Sequence, residues 1–516
     1  MSPNTIASPL FLGLDLSTQQ LKAVLIKEDA TIVHETAVHF DNDLGEKYKI
    51  EKGVYHGPGE GEVTSPVAMW LDAIDLLFAR MREGGVSFKD IYAISGAGQQ
   101  HGSRRICSQT LDSSKSLTEQ LSLEATHSTE EDCARLEAEI GGAQALADLS
   151  GSRAYERFTG SQISKIRRLQ PEVYKATSRI GLVSSFIASV SDASGMNLTN
   201  IITGEWDDKL LNICGGSELR PKLGPEPAVG GVNLGKVSDW WVKRWGNVSS
   251  PPFTGDNPAT VMSLSSPGDA VLSLGTSTTF LFSIPGSDTH PKRFTSSHLL
   301  SHPTSSQGHL AMLCYKNGAL ARENVRNQYA DSHWTKRPQR GCSGYMSLYF
   351  PLPEIIPPGV QGEYSFSYNL DDPSQAPKRV EDTPSEIHCR AILESQFLSI
   401  RSRIAAILPA NAPRLRRLVI SGGSSTNPII RQIAADIFDM NVYVSTTKEA
   451  AGMGGALLAK YSWWKVKNPN GTFEEMTGGE AVGTTRVAEP SQEKASVYDR
   501  LVPVYTACED AVVSAN

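Results

Sequence analysis

The sequence predicts an α/β protein built from two similar lobes, and three observations carry that expectation. First, 516 residues exceed what one hydrophobic core organises, so two domains of roughly 200–250 residues are expected. Second, an apolar strand that runs into a Gly- and hydroxyl-rich turn occurs twice. It is found at Leu12-Gly13-Leu14-Asp15-Leu16-Ser17-Thr18 and at Leu272-Ser273-Leu274-Gly275-Thr276-Ser277-Thr278. Third, the first half opens with three linked strands, a helix and a buried strand, not with the alternating unit of a doubly wound nucleotide-binding fold. That order fits the mixed sheet of the ribonuclease H/actin type. The expected architecture is two ribonuclease H-like/actin-like ATPase lobes, residues 10–260 and 261–510, with a substrate cleft between them.

The elements follow in order. Leu10–Leu16, Lys22–Lys27 and Ile32–His39 read as strands, and Asn42–Gly61 as a long surface loop. Thr64-Ser65-Pro66 offers a hydroxyl cap and a first-turn proline to a helix. Val67, Trp70, Leu71, Ile74, Leu77, Phe78 and Met81 then form its apolar face. Ile91–Ser95 is a strand that leads to Gly96-Ala97-Gly98-Gln99-Gln100-His101-Gly102, and Arg104–Glu130 is polar and shows no strand. Glu131–Ala147, Ile163–Tyr174, Leu182–Val190 and Lys236–Trp245 read as helices. In the second half Ala270–Leu274 and Thr279–Ser283 flank a turn, and Pro384–Leu408 is a long helix. The strand Leu418–Ile420 ends in Ser421-Gly422-Gly423-Ser424-Ser425, followed by helix Pro428–Phe438, strand Val442–Val444 and the Gly/Ala-rich helix Gly452–Tyr461. Asn468–Gln492 reads as a flexible excursion, and Val497–Cys508 as a last helix.

Composition narrows the function classes. Hydrophobic content of 40% and charged content of 20% are those of a globular domain rather than a disordered one. A net charge of -7 argues against nucleic acid or an anionic membrane as the main partner, while leaving room for a phosphorylated small molecule. The seven cysteines are scattered, with no metal-type spacing, as in a reduced cytoplasmic protein. Met1–Pro9 has the character of neither a signal nor a transit peptide.

Four motifs carry chemistry. In Gly13–Gln20, glycine lets the backbone come close to a phosphate. Hydroxyls such as Thr18 can donate to it, and Asp15 can hold Mg²⁺ largely through water. Gly275 and Thr276 mark the partner turn, which lacks the carboxylate. Gly422 and Gly423, between a strand and a helix, permit a flat adenine against the backbone, close to a helix N-terminus. Phe253-Thr254-Gly255-Asp256-Asn257-Pro258-Ala259 offers a carboxylate on a Gly-flanked turn. A sugar hydroxyl that attacks a γ-phosphate needs such a proton acceptor, and Asp256 can supply it. Asn257 could orient a neighbouring hydroxyl, and His101 and Arg157 are further candidate sugar contacts.

These residues resemble the eukaryotic xylulose kinase branch of the FGGY carbohydrate kinase family. The resemblance rests on Leu12–Gln20, Ser95–Ser103, Gly151–Gly160, Ser194–Leu198, Phe253–Ala259, Leu274–Ser277 and Ser421–Gly423, and runs from Leu10 to Cys508. It implies an ATP-dependent phosphotransferase with an alcohol acceptor that converts D-xylulose into D-xylulose 5-phosphate, in D-xylose catabolism feeding the pentose phosphate pathway. It also implies that His101, Arg157, Asp256 and Asn257 bind the sugar, with Asp256 as the base. Trp334, Gly422, Gly423 and Asn427 would contact the nucleotide, and Asp15 would stand on the Mg²⁺ side.

Two stretches depart from the family pattern. After Ser103, where a β-branched or aromatic strand and a Trp-x-Asp strand are usual, the chain continues Arg104-Arg105-Ile106-Cys107. It reaches Cys133 without Trp-x-Asp. Phe186–Val190 also runs straight into Ser191–Gly195, without the apolar stretch usual there. Two alternatives therefore stand beside the leading expectation. One is a kinase for another pentulose or a polyol, and the other is a kinase-like binding or regulatory protein with weak or no transfer.

Overall fold

The computed structural model describes residues 8–57, 63–99, 103–107, 121–122, 129–184, 189–236, 239–246, 249–286, 290–330, 343–369, 371–372, 375–381, 383–409, 414–479, 481 and 483–515. The chain forms two compact units. The first takes residues 1–264, 293–310 and 447–482, and the second takes 265–292, 311–446 and 483–516.

In the first unit β1 (Leu10–Leu16) pairs antiparallel with β2 (Gln20–Ile26), and β2 pairs antiparallel with β3 (Ile32–His39). The interior of β1 is buried on every residue, as an apolar strand covered on both faces must be. Helix α1 (Val67–Glu83) lays Trp70, Leu77, Phe78 and Met81 into the core beside Leu12, Leu21 and Leu25. Leu71, on the same predicted face, is exposed. Strand β4 (Ile91–Gly98) lies parallel to β1, and the short β5 (Thr254–Gly255) lies parallel to the end of β4. The sheet order is β3-β2-β1-β4-β5. Helix α2 (Asp256–Leu264) leaves β5 without an intervening residue.

Several local expectations fail here for identifiable reasons. Asn42–Gly61 is not simply loop: it contains short helical turns over residues 40–48 and the strand Tyr55–His56. That strand pairs with Val63–Ser65. This pairing takes Thr64 and Ser65 away from α1. The Ser65 hydroxyl donates to the Gly53 carbonyl at 3.0 Å, and Pro66 starts the helix without a side-chain cap. Leu182–Val190 does not begin as a helix. Leu182 ends a strand, Thr177–Leu182, that pairs antiparallel with Ser103–Cys107, in the stretch where no strand is readable from sequence. Each strand is supplied by a partner far away in the chain, which local propensity does not register. Glu131–Ala147 divides into Glu130–Ile140 and Ala143–Ser150. Gly141 and Gly142 separate them at φ +110° and +113°, a conformation that ends a helix.

The second unit repeats the plan. Strand β6 (Asp269–Leu274) pairs antiparallel with β7 (Thr278–Ile284), and β8 (His309–Tyr315) neighbours β7. Helices α3 (Ala319–Tyr329) and α4 (His388–Ile407) precede β9 (Arg417–Ser421), which runs parallel to β6. After α5 (Pro428–Phe438), β10 (Asn441–Ser445) lies parallel to β9. The order β8-β7-β6-β9-β10 matches strand for strand the order of the first unit. The stretch 468–492 is not wholly irregular: Phe473–Thr477 is helical and β11 (Thr484–Ala488) adds a strand beside β10.

Helix α6 (Ala450–Lys467) belongs to the first unit, not to the second half in which it falls by sequence. It packs through glycine. A Cβ on Gly455 would lie 2.6 Å from the Cα of Gly96 on β4, and one on Gly13 of β1 would collide with the Gly452 carbonyl. The observed units therefore differ from a contiguous division at 260/261. The Gly/Ala strip of α6 fits a floor of glycines that only the first sheet presents. Helix α7 (Gln492–Ala515) closes the second unit against α4 through ion pairs such as Arg403–Glu509 at 2.6 Å.

Candidate active site

Asp15 is the second-last residue of β1 and stands directly opposite Lys22 on β2. It is 7% exposed. Burial pushes its pKa up to about 6, with Lys22 opposing the shift and the charges of Asp256 and Glu449 adding to it. Lys22 in turn pairs with Glu449 at 2.6 Å, immediately ahead of α6. Among the described residues no group hydrogen-bonds to the Asp15 carboxylate.

Asp256 does not sit on a turn. It is the first residue of α2, straight after β5, whose Gly255 lies beside Gly98 of β4. Both the backbone NH and the side-chain amide of Asn257 donate to its Oδ1, at 2.8 and 3.2 Å. Negative charge is favoured at a helix start, so this placement holds Asp256 as a fixed carboxylate. Sequence reading missed its neighbour Asp192, which is 4% exposed and accepts a hydrogen bond from the Ser184 hydroxyl. Burial, and secondarily the charge of Asp256, raises the Asp192 pKa well above the usual carboxylate range. Thr254 is tied to the same segment, its hydroxyl 2.6 Å from that of Ser191. One signal was available: Ser189 followed three residues later by Asp192 is a helix-start pattern. The Ser189 hydroxyl does accept the Asp192 NH at 3.2 Å.

The other expected residues of this unit are exposed or lie outside the described residues. Thr18 is exposed at the β1–β2 hairpin, its hydroxyl donating to Gln99 Oε1 at 2.6 Å. The Gln99 NH holds the Leu16 carbonyl at 2.9 Å, fastening the hairpin to the end of β4. Arg157 is exposed on the turn before helix Thr159–Leu169. His101 and, in the other half of the chain, Trp334 lie outside the described residues.

In the second unit the turn with Gly275 and Thr276 joins β6 to β7, and the start of α3 seats on it. The Ala319 NH reaches the carbonyls of Gly275 and Thr276, each at 3.1 Å. Gly422 stands at φ +86°, and a Cβ there would lie 2.6 Å from the Leu274 carbonyl, so the two glycine turns touch backbone to backbone. Gly423 faces open space. Asn427 has a structural occupation that the sequence did not suggest. It is the N-cap of α5, its Oδ1 accepting the NH groups of Ile429 and Ile430 at 2.9 and 3.4 Å, which leaves only its amide nitrogen for a ligand.

The two halves match the N-terminal domain of the FGGY family of carbohydrate kinases over residues 10–256 and its C-terminal domain over 270–463. The chain belongs to the FGGY family of carbohydrate kinases. Among curated relatives, a probable D-xylulose kinase A of Aspergillus fumigatus is 40% identical, covering 92% of each chain. One from Aspergillus terreus is 39% identical, covering 93% of this chain and 92% of its own. Solved FGGY-like folds include a xylulose kinase of Rhodospirillum rubrum, with a TM-score of 0.77 at 17% identity over 98% of this chain and 99% of that one. A glycerol kinase of Plasmodium falciparum solved with ADP gives 0.70 at 17% identity, over 96% and 98%. At these identities the structures speak for the two-lobed α/β fold. As a carbohydrate kinase the protein uses ATP and a sugar as substrates. Among the described residues no helix is long and apolar enough to cross a membrane.

Mg²⁺, which accompanies ATP in phosphoryl transfer, fits the donor set. Among the described residues no cage of three or more metal-binding side chains exists. Mg²⁺, however, keeps most of its water and needs one or two carboxylates. Asp15, buried and without a hydrogen-bond donor among the described residues, is such a carboxylate.

Proposed function

We propose that this chain phosphorylates D-xylulose at the expense of ATP, giving D-xylulose 5-phosphate and ADP. The observation that carries the substrate is the 40% identity, over 92% of each chain, to a relative named probable D-xylulose kinase A. The geometry supports the chemistry. Asp256, fixed at the start of α2 by both nitrogens of Asn257, accepts the proton of the attacking sugar hydroxyl. The oxygen bonds to the γ-phosphorus, the bond to the β-phosphate oxygen breaks, and ADP leaves. His101, Arg157 and Asn257 bind the sugar. Gly275, Thr276, Trp334, Gly422 and Gly423 receive the nucleotide, with Thr18 turning its hydroxyl from Gln99 to donate to phosphate and the Asn427 amide in reach of the base. Asp15 would hold Mg²⁺ through water, and the ion, when bound, offsets charge on the β- and γ-phosphates. In this reading the first unit is the sugar side and the second the nucleotide side. The compartment we assign is the cytoplasm, in keeping with seven scattered cysteines.

An ADP-release assay with D-xylulose, D-ribulose, L-xylulose and glycerol tests this. Turnover should be fastest with D-xylulose, and Asp256→Ala should lower kcat by about 10²–10⁴-fold. An alanine variant as active as the parent would remove Asp256 as base. Faster turnover of another substrate would reassign the sugar.

A further inference from the structure

Arg322 is among the largest fully buried side chains of the protein, 1% exposed, in the first turn of α3. Its Nη1 donates to the Thr278 hydroxyl at 3.1 Å and to Gln396 Oε1 at 2.8 Å, and its Nη2 reaches the Ser424 hydroxyl at 3.4 Å. Thr278 begins β7, immediately after the Gly275–Thr276 turn. Ser424 follows Gly422 and Gly423. One guanidinium therefore spans both glycine turns of the second unit.

Its partners are all neutral. Two other largely buried arginines of this unit are neutralised by carboxylates: Arg390 by Glu394 and Arg403 by Glu509, each at 2.6 Å. Arg322 makes no ion pair among the described residues, and its Nε has no hydrogen-bond partner there. Burial draws its pKa down to about 10, with Glu323 opposing the shift. Keeping a cation out of water without a counter-charge is costly. Neutral hydrogen bonds, each weak in net terms, do not by themselves explain why an arginine is retained there.

We propose that Arg322 is a nucleotide-positioning residue: it fixes the two touching turns that together receive the nucleotide, and the polyphosphate of ATP or ADP is the counter-charge its site lacks. The proposal rests on the assignment of those turns to the nucleotide. It makes the ligand-free protein tolerant of losing the charge and nucleotide binding intolerant of it, the reverse of what a structural brace would give.

The test measures ATP, ADP and adenosine binding by calorimetry, the KM of each substrate, and Tm with and without nucleotide. The proteins are wild type, Arg322→Gln, Arg322→Met and Arg322→Lys. Both neutral variants should fold with a nucleotide-free Tm no lower than wild type. Their Kd for ADP and KM for ATP should rise about 10- to 100-fold. Adenosine affinity and sugar KM should stay within about twofold, and Arg322→Lys should recover part of the ADP affinity. Neutral variants that bind ADP like wild type, that lose adenosine as severely as ADP, or that fail to fold would overturn the proposal, as would a lysine variant no better than glutamine. A wild type that binds no ATP would instead defeat the nucleotide assignment, and the proposal with it.

Discussion

The single carboxylate at the end of β1 has a measurable pH signature. The Asp15 pKa, raised to about 6 by burial, means that the folded protein holds this proton more tightly than the unfolded chain. Its unfavourable contribution therefore develops as pH rises from about 4 through 6 and is complete above that, reaching about 2–3 kcal/mol. Asp15→Asn should raise Tm more at about pH 7.5 than at about pH 5, where the wild-type carboxyl is already mostly protonated. Equal differences at the two pH values would show that Asp15 is not held in that state. Gly423, whose added Cβ would meet nothing within 4 Å, gives a complementary test. Gly423→Ala should leave Tm unchanged while raising the KM for ATP on the order of tenfold; a normal KM would clear that surface of the base. At this scale the sequence was most readable in backbone placement, as with Asp15 near the end of an apolar strand, while Asp256 heads a helix where a turn was expected. The sequence was silent on Lys22 and Glu449, and for Asp192 it offered only a helix-start position three residues after Ser189. Their importance comes from where distant segments bring them, and a buried aspartate held by a serine looks like any polar residue in a Ser-rich stretch.

Among the elements, α6 governs how closely the segments carrying Asp15 and Asp256 are packed. A Cβ on Gly454 would collide with the Ala259 carbonyl of α2, the helix that begins with Asp256. Gly454→Ala should therefore destabilise the protein by about 1–3 kcal/mol through overpacking, although alanine is intrinsically the better helix former by about 1 kcal/mol. Chemical denaturation reads the sign directly, and a more stable alanine variant would contradict the packing described. Composition identified this helix as Gly/Ala-rich and apolar spacing identified α1, because both signals are local. What spacing cannot supply is the surface a helix is matched to. That is why α6 reads as part of the second half, and why Thr64 and Ser65, pulled into a strand by Tyr55–His56, read as a cap. The strands Ser103–Cys107 and Thr177–Leu182 were unreadable for the same reason: each is a strand because the other is there.

Across the whole molecule, the repeated turn was the strongest organisational signal. Two sheets with the same strand order bear out the two-lobed fold it implied. The division at 260/261 falls between the family matches at 10–256 and 270–463, but a repeated motif marks where a lobe begins and not which later segments return to it. A chain ended after residue 446 keeps all five strands of the first sheet but loses α6, exposing Gly13 and Gly96. It should be protease-sensitive over residues 10–264 where the full chain is resistant. Equal resistance would mean that the first sheet closes without that helix.

The return of α6 to the first sheet also sets a clock on biosynthesis. Translation adds about 5–20 residues per second, so the first sheet, once the Asp256 segment has completed it, waits about 10–40 s for the helix that covers it. During that interval the sheet has an uncovered glycine floor, and exposed surface of that kind is prone to aggregate. Faster or slower decoding between residues 264 and 447 would then change the yield of soluble protein without altering a single amino acid.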